Sequence, residues 1–289
     1  MSEILNNKSS GVQLRRIFLE HFMLLIADTP ALQDEAYKIR YKVYCQELQY
    51  EKGENHPDGL ERDVYDRRSI HCLLWHWKSN RYAGCVRLVL PDPRSPQEHL
   101  PFEAILPDKY SWFHSASLRF PYGSYGEISR LAITKEFRTR IHCALQFDSA
   151  IARQPDPNDD TQYFPLIPLG LYLAATSLAV EVGLDRVFAL MEARLARHLR
   201  RFGITFEQVT DFFEFHGQRG VFQVTRTAAL RGMHPGTKDL YHSLSFSVRR
   251  SLPESPFPVY RRREKLSWLR KLLRQLIALA KRIRRITRL

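Results

Sequence analysis

No apolar run in these 289 residues approaches the roughly 20 that a membrane-spanning helix needs, so no transmembrane segment is expected. Cysteine is scarce. The four copies, Cys45, Cys72, Cys85 and Cys143, never form a Cys-x-x-Cys pair, so neither a zinc site nor a disulfide framework is expected. All four read as small core residues. Met1 to Arg16 is polar and lacks the apolar stretch of a signal peptide, which places the chain in the cytoplasm as an expectation. There is no internal repeat. What remains, 44% hydrophobic and 26% charged, is a globular composition with enough length for a full core.

Acidic residues are nearly missing from one place. Residues 261–289 hold nine Arg and three Lys against one Glu, a net +11 of the chain's +13. The other 260 residues carry only +2, which argues against a nucleic-acid groove across the body. This tail is also the clearest helix. At 100° per residue, Leu266, Leu269, Leu272, Leu273, Leu276, Ile277, Ala280, Ile283 and Ile286 share one side. Arg270, Arg274, Lys281, Arg282, Arg284, Arg285 and Arg288 share the other. With Trp268 near its start, such a helix suits the surface of an anionic membrane. Docking on its own domain or on a second copy is the alternative, and an acidic partner a further one. Two units follow: a folded domain over 20–250 and a basic amphipathic helix over 259–289.

Within the body, the patterning alternates strands and helices. His21 to Ala27 reads as a strand. Thr29 is a candidate N-cap with Pro30 at the first helical position, and Leu32, Ala36, Ile39 and Val43 make a helical stripe. Ile70–Trp77 and Arg81–Leu90 read as strands joined at Ser79-Asn80, and six prolines mark residues 91–126 as a long insertion. Glu127–Ile133 is the next strand, followed by a loop over Pro155–Pro168, a buried helix over Gly170–Val182 and a strand over Arg186–Met191. A basic helix over Glu192–Phe202 and strands over Phe206–Phe215 and Val221–Thr225 complete the pattern. This order predicts an α/β fold, a central mixed twisted sheet flanked by helices.

Glu127-Ile128-Ser129-Arg130-Leu131 is the stretch where chemistry concentrates, because charges entering an apolar run must be paired or functional. Strand alternation puts residues 127 and 130 on opposite faces, so a bulge or a strand boundary is expected between them. Arg40-x-x-Val43-Tyr44 on the first helix joins this stretch, as do Glu61, Asp63 and Asp66 in a charged loop and Arg87 inside a strand. Balanced arginines and carboxylates suit a zwitterionic substrate such as an amino acid.

In order and rough spacing, Arg40-x-x-Val43-Tyr44, the loop through Asp63 and Asp66, Gly84-x-x-Arg87-Leu88 and Glu127-x-x-Arg130 resemble the motifs of acyl-homoserine-lactone (autoinducer) synthases. A closer likeness is to the PEP-CTERM/exosortase system-associated acyltransferases and the related long-chain N-acyl amino acid synthases. It covers roughly residues 20–225 and extends through Met191-Glu192-x-Arg194, Leu199-Arg200-Arg201-Phe202-Gly203-Ile204 and Phe215-His216-Gly217. The resemblance implies a GNAT-like acyltransferase fold. It also implies that no cofactor is bound and that the acyl-phosphopantetheine of an acyl carrier protein is the co-substrate. Departures matter too. After Ile133 the sequence runs Thr134-Lys135-Glu136-Phe137-Arg138-Thr139-Arg140, without the glycines that cradle a coenzyme A pyrophosphate. Lys135, Arg138 and Arg140 are candidates to meet an acidic carrier protein or to stay solvated. Nothing specific marks an S-adenosylmethionine pocket.

The expected activity is N-acyl transfer from an acyl-carrier-protein thioester to the amine of an amino acid or similar acceptor. Glu127 takes the amine's proton in this scheme, and Asp63 and Asp66 steer the ammonium. Arg130 or Arg87 holds the acceptor's carboxylate, while Arg40 ties the acidic loop to the core. Glu127, Arg130 and Asp63 are the catalytic candidates. Arg40, Tyr44, Glu61, Asp66 and Arg87 are the substrate-binding ones. Backbone N–H groups of the Arg87 strand are the expected oxyanion donors, and His216 is a second candidate proton acceptor or a structural histidine. The alternatives are a homoserine-lactone synthase and a non-catalytic acyl- or partner-binding module tethered to a membrane. The chain's place is then the inner face of a membrane, held through 261–289.

Overall fold

A computed structural model describes residues 8–91, 99–110, 124–138 and 159–252. Met1–Leu252 form one compact unit and Pro253–Leu289 another. The amphipathic tail, Arg140 and Cys143 lie outside the described residues, as do most of the loop after residue 138 and much of the proline-rich insertion.

The sheet begins with a meander, β1 (Phe22–Ile26), β2 (Ser69–His76), β3 (Arg81–Val89) and β4 (Tyr125–Ile133), each antiparallel to the next. Strand β5 (Arg186–Met191) then adds in parallel to β4, and β8 (Gln218–Thr225) pairs antiparallel with β5. Two-residue strands β6 (Glu207–Gln208) and β7 (Phe213–Glu214) both pair with β8, where the sequence suggested one longer strand. The result is the mixed, eight-stranded sheet expected.

Helix α2 (Pro30–Arg40) starts as its sequence dictates, with Thr29 Oγ1 accepting from the Leu32 N–H, and runs on as a π-helical stretch over Tyr41–Glu47. Its Ala36, Ile39 and Val43 pack with Leu73, Cys85 and Ala132 of β2, β3 and β4. That choice of face matters: side chains two residues along, His71 and Arg87, point the same way. They are therefore aimed at the end of α2.

Helix α3 (Leu166–Glu181) crosses from β4 to β5, packs on β2, β3 and β4, and is buried from Leu166 to Ala179. It begins inside what reads as a loop, because Phe164 and Leu166 are buried and Pro168 falls in the first turn, where its missing N–H costs nothing. Asp160–Glu181 is apolar and long enough to cross a membrane by composition, a run that sequence inspection passed over. Because 89% of its apolar window is buried inside the domain, it is a core helix. Helices α4 (Ala193–Arg200), α5 (Arg226–Gly232) and α6 (Pro235–Ser251) follow, the last two unforeseen.

Equally unforeseen is α1 (Lys8–His21), which packs against α6 and brings the body N-terminal of residue 20. Its Phe18 is fully buried, and the ring lies where a Cβ on Gly170 of α3 would stand, 2.3 Å from the nearest ring carbon. Phe18→Ala should therefore cost about 3–5 kcal/mol in chemical denaturation. A loss below about 1 kcal/mol would show that α1 is not part of the cooperative core.

Candidate active site

Three arginines and four carboxylates meet where α2 ends. Arg40, fully buried, donates from Nε to Glu61 Oε2, from Nη1 to Asp66 Oδ1 at 2.7 Å and from Nη2 to Asp66 Oδ2 at 3.1 Å. Arg87, 1% exposed, donates from Nη1 to Asp63 Oδ1 (2.6 Å) and Asp66 Oδ1 (2.8 Å), and from Nε to Ser129 Oγ (3.2 Å). Arg130 Nη2 reaches Glu61 Oε1 at 2.9 Å and Glu51 Oε1 at 3.1 Å, with Asp63 Oδ2 at 3.5 Å. Tyr44 donates its hydroxyl to Leu131 O and lies beneath the Arg130 guanidinium. All eight sequence-selected residues except Glu127 thus form one network.

Burial alone would raise these carboxyls, and the arginines reverse it. Arg40 and Arg130 hold Glu61 below its ordinary value, Arg87 does so for Asp63, and Arg40 with Arg87 for Asp66. His71, which nothing in the sequence singled out, sits beside Asp66 with its ring pushed down to about 3 by burial and by the charge of Arg40. It is neutral and structural.

The network separates two tiers. Arg40, Glu61 and Asp66 are enclosed and satisfy one another. Asp63 and Glu51 are the partly exposed carboxylates, at 21% and 34% of their side chains. Arg130 is committed to acids, which leaves Arg87 as the stronger candidate for a substrate oxygen. Arg87 Nη2 is buried and has no hydrogen-bond partner among the described residues.

A bulge lies where one was expected. Arg87 pairs with Ser129 and Cys85 with Ala132, so Arg130 and Leu131 together oppose Val86. Arg130 takes the left-handed conformation, with φ of 48°. A non-glycine residue there stores about 1–3 kcal/mol of strain, offset here by three acidic contacts. The kink turns Arg130 into the acidic cluster.

Glu127 stands on the other side of Ser129. It pairs with Phe188 of β5, and there the β4–β5 ladder stops, although β4 continues to Ile133 and β5 to Met191. The two strands part at Glu127. Its Oε2 accepts from the Phe102 N–H at 2.9 Å, and Phe102 packs on Phe188 with ring centres 5.1 Å apart. Burial pushes the carboxyl up to about 8, against the Phe102 hydrogen bond and the charge of Arg87 and with help from buried Glu103. Strand β3, by contrast, is paired with β2 on one side and β4 on the other. Beyond Glu127, β4 and β5 are not paired with one another. Pairings of this kind are tertiary and have no signature in the sequence.

Residues 39–146 match the acetyltransferase (GNAT) domain family. Over that stretch the chain is similar to a GNAT domain. Among solved structures, the acyl-homoserine-lactone synthase LasI aligns at 14% identity and TM-score 0.49 over 74% of this chain and 96% of its own. FeeM, an N-acyl amino acid synthase from uncultured soil microbes, aligns at 11% and 0.45 over 73% and 94%. The coenzyme-A-dependent homoserine-lactone synthase BjaI aligns at 17% and 0.47 over 78% and 89%. Scores this low carry no functional argument. Among curated proteins, none matches.

Likeness to a GNAT domain raises the question of a coenzyme A pyrophosphate, whose usual cradle in that family is the helical turn after the strand that matches β4. Here the Lys135 N–H donates to Glu47 Oε1 at 3.0 Å, and Arg138 Nη2 to Glu47 Oε2 at 3.0 Å. A carboxylate already holds the turn's first donor, and no glycine lets a phosphate approach, so these residues do not fit the group. Arg138 is likewise committed inward. His216 takes φ of 51° and stacks on Tyr50 at 4.5 Å.

Removing Arg40 strands Glu61 and Asp66 without their main counter-charge. Arg40→Ala should cost about 3–5 kcal/mol of stability as well as activity. Arg40→Lys should not restore it, since an ammonium cannot bridge both acids as the fork does. A thermal melt of each variant decides.

Proposed function

We propose that this domain transfers a long-chain acyl group from a carrier-protein thioester to the amine of an amino acid or a similar small acceptor. The observation that carries the reading is Glu127: a buried carboxyl with a raised proton affinity, set where β4 and β5 separate. A fork between strands admits a slender arm carrying a thioester. Lack of a free pyrophosphate cradle favours the phosphopantetheine of a carrier protein over coenzyme A. The motif likeness to the exosortase-associated acyltransferases and N-acyl amino acid synthases points the same way.

In the proposed step the acceptor's ammonium gives one proton to Glu127, directly or through a water, and the freed lone pair attacks the thioester carbon. The C–S bond breaks, the amide forms and the thiolate leaves, finally taking up a proton. Partly exposed Asp63 and Glu51 receive the acceptor as its ammonium, and the cluster's four carboxylates against three guanidinium groups leave the local charge suited to a cation. Arg87 Nη2 takes a substrate oxygen, a use that would satisfy its unpaired donors. Outside the fold, the tail 261–289 holds the domain on the inner, anionic face of a membrane.

Incubation with acylated carrier protein and an amino-acid mixture should yield an N-acyl amino acid by mass spectrometry. A product only when S-adenosylmethionine is present would move the assignment to lactone synthesis, and none under either condition would leave a binding module. Because a base must be ionised, kcat/KM should rise with pH, pass its half-maximum near 8 and level off above that. Glu127→Gln should lower turnover by about 100-fold or more and flatten that rise. Its sign in stability is the opposite one. Glu127's folded-state affinity exceeds its ordinary value of 4.5, so wild-type stability falls as pH climbs from there through about 8, and Glu127→Gln should be the more stable protein at the upper end. Near-wild-type turnover in purified Glu127→Gln would remove the base assignment. For the tail, the full chain should co-sediment with phosphatidylglycerol vesicles and release in high salt, and deletion of 261–289 should abolish binding. Unchanged sedimentation of the deletion variant would exclude the tail as the anchor.

A further inference from the structure

A second concentration of polar atoms lies at the junction of α1 and β1. His21 ends α1, His76 ends β2, and Asp160 stands in the short turn that precedes α3. One ligand-capable atom from each lies within 4.8 Å of the others. Their surroundings are aromatic and largely dry. His76 is 2% exposed, with Phe22, Phe137 and Phe164 rings 5.3–5.4 Å from its own, and Tyr163 stacks 4.2 Å from His21.

Inside that wall, His76 Nε2 and Asp160 Oδ2 face one another at 2.9 Å as a buried imidazole–carboxylate pair. Lys78 approaches the other carboxylate oxygen, Oδ1, at 3.4 Å. The pair is closed on itself when Nε2 carries a proton, and a divalent ion displacing that proton would meet both atoms together with His21. The far nitrogen of His76 lies 2.9 Å from Ser79 Oγ, which fixes the ring with Nε2 turned inward, the second contact typical of a ligating imidazole.

We propose that His21, His76 and Asp160 bind a divalent metal ion, with Zn2+ as the match to two imidazoles and one carboxylate and a water as fourth ligand. A tetrahedral shell with bonds of roughly 2.0–2.2 Å sets its donors about 3.3–3.6 Å apart, so the 2.9 Å pair opens slightly and His21, within 4.8 Å, closes in by side-chain rotation. The site is independent of the acyl-transfer cluster. Its effect is structural: the Trp77 N–H already donates to His21 O at 3.0 Å, joining the ends of α1 and β2, and the ion adds the turn that launches α3. Partly exposed His21 and Asp160 supply the path of entry.

The test uses the full chain without an affinity tag, stripped with a chelator and dialysed. Titration with ZnCl2 should show one ion per chain and raise Tm by about 5 °C or more at saturation. Co2+ should add visible absorption bands of a low-coordinate site. His21→Ala, at a half-exposed position, and Asp160→Asn should each keep the apo circular-dichroism spectrum and weaken Zn2+ by about 100-fold or more. Absence of stoichiometric binding to wild type would overturn the proposal, and so would unchanged affinity in both variants, which would place the ion elsewhere on the surface.

Discussion

Burying the Arg40 guanidinium is the constraint on which the rest of this structure depends. A charge at the end of α2 with no exposed surface is tolerable only if carboxylates reach it with good geometry. The loop after α2 supplies them: Glu61 takes Nε, and Asp66 takes both terminal nitrogens. Asp66 spends its remaining capacity on Arg87 Nη1 and on the Asp63 N–H, and so orders the loop. Asp63 is thereby presented between Arg87 and Arg130. One desolvated cation thus fixes a helix, a loop and two strands relative to each other.

The second organising feature is the pair of irregularities in β4. At the bulge the strand twists to send Arg130 toward acids that alternation would have denied it. At Glu127 it loses its neighbour. Both lie on one strand, Glu127 two residues before Ser129 and the Arg130–Leu131 bulge directly after it, and Ser129 is itself tied to Arg87 Nε. The distortion is local because β3 is paired along nearly all its length and does not bend with it.

Most of the strands were legible because their apolar runs are short and bounded by turns. Arg186–Met191 is recovered residue for residue, and α2 from its Thr29-Pro30 start. The charged residues were legible for a different reason: each interrupts an apolar run, and burial of a charge demands company. What failed was local or relational. Helix α1 lies in a segment that reads as polar, and it is held by Phe18 against Gly170, a contact 152 positions away in the chain. His71, Glu103 and the Phe102 N–H occupy the site by packing alone. Glu61 and Asp66 were rightly grouped with Arg40, yet their burial has no local signal.

The chemistry rests on keeping two populations of carboxyl groups apart. Glu61, Asp63 and Asp66 lie among guanidinium groups that hold their protons off, so they stay anionic and serve as fixed charge. Glu127 faces the opposite environment, among Phe102, Phe188 and Tyr125 with one backbone donor, and keeps its proton to about 8. Only a group of the second kind can exchange a proton with an amine near neutral pH, and only groups of the first kind can hold an ammonium without neutralising themselves. Ser129 separates the two environments by binding Arg87, which turns its Nη1 to the anionic acids and leaves Nη2 unpaired. In the proposed reaction Arg87 is therefore the residue that joins the charged half of the site to the proton-exchanging half.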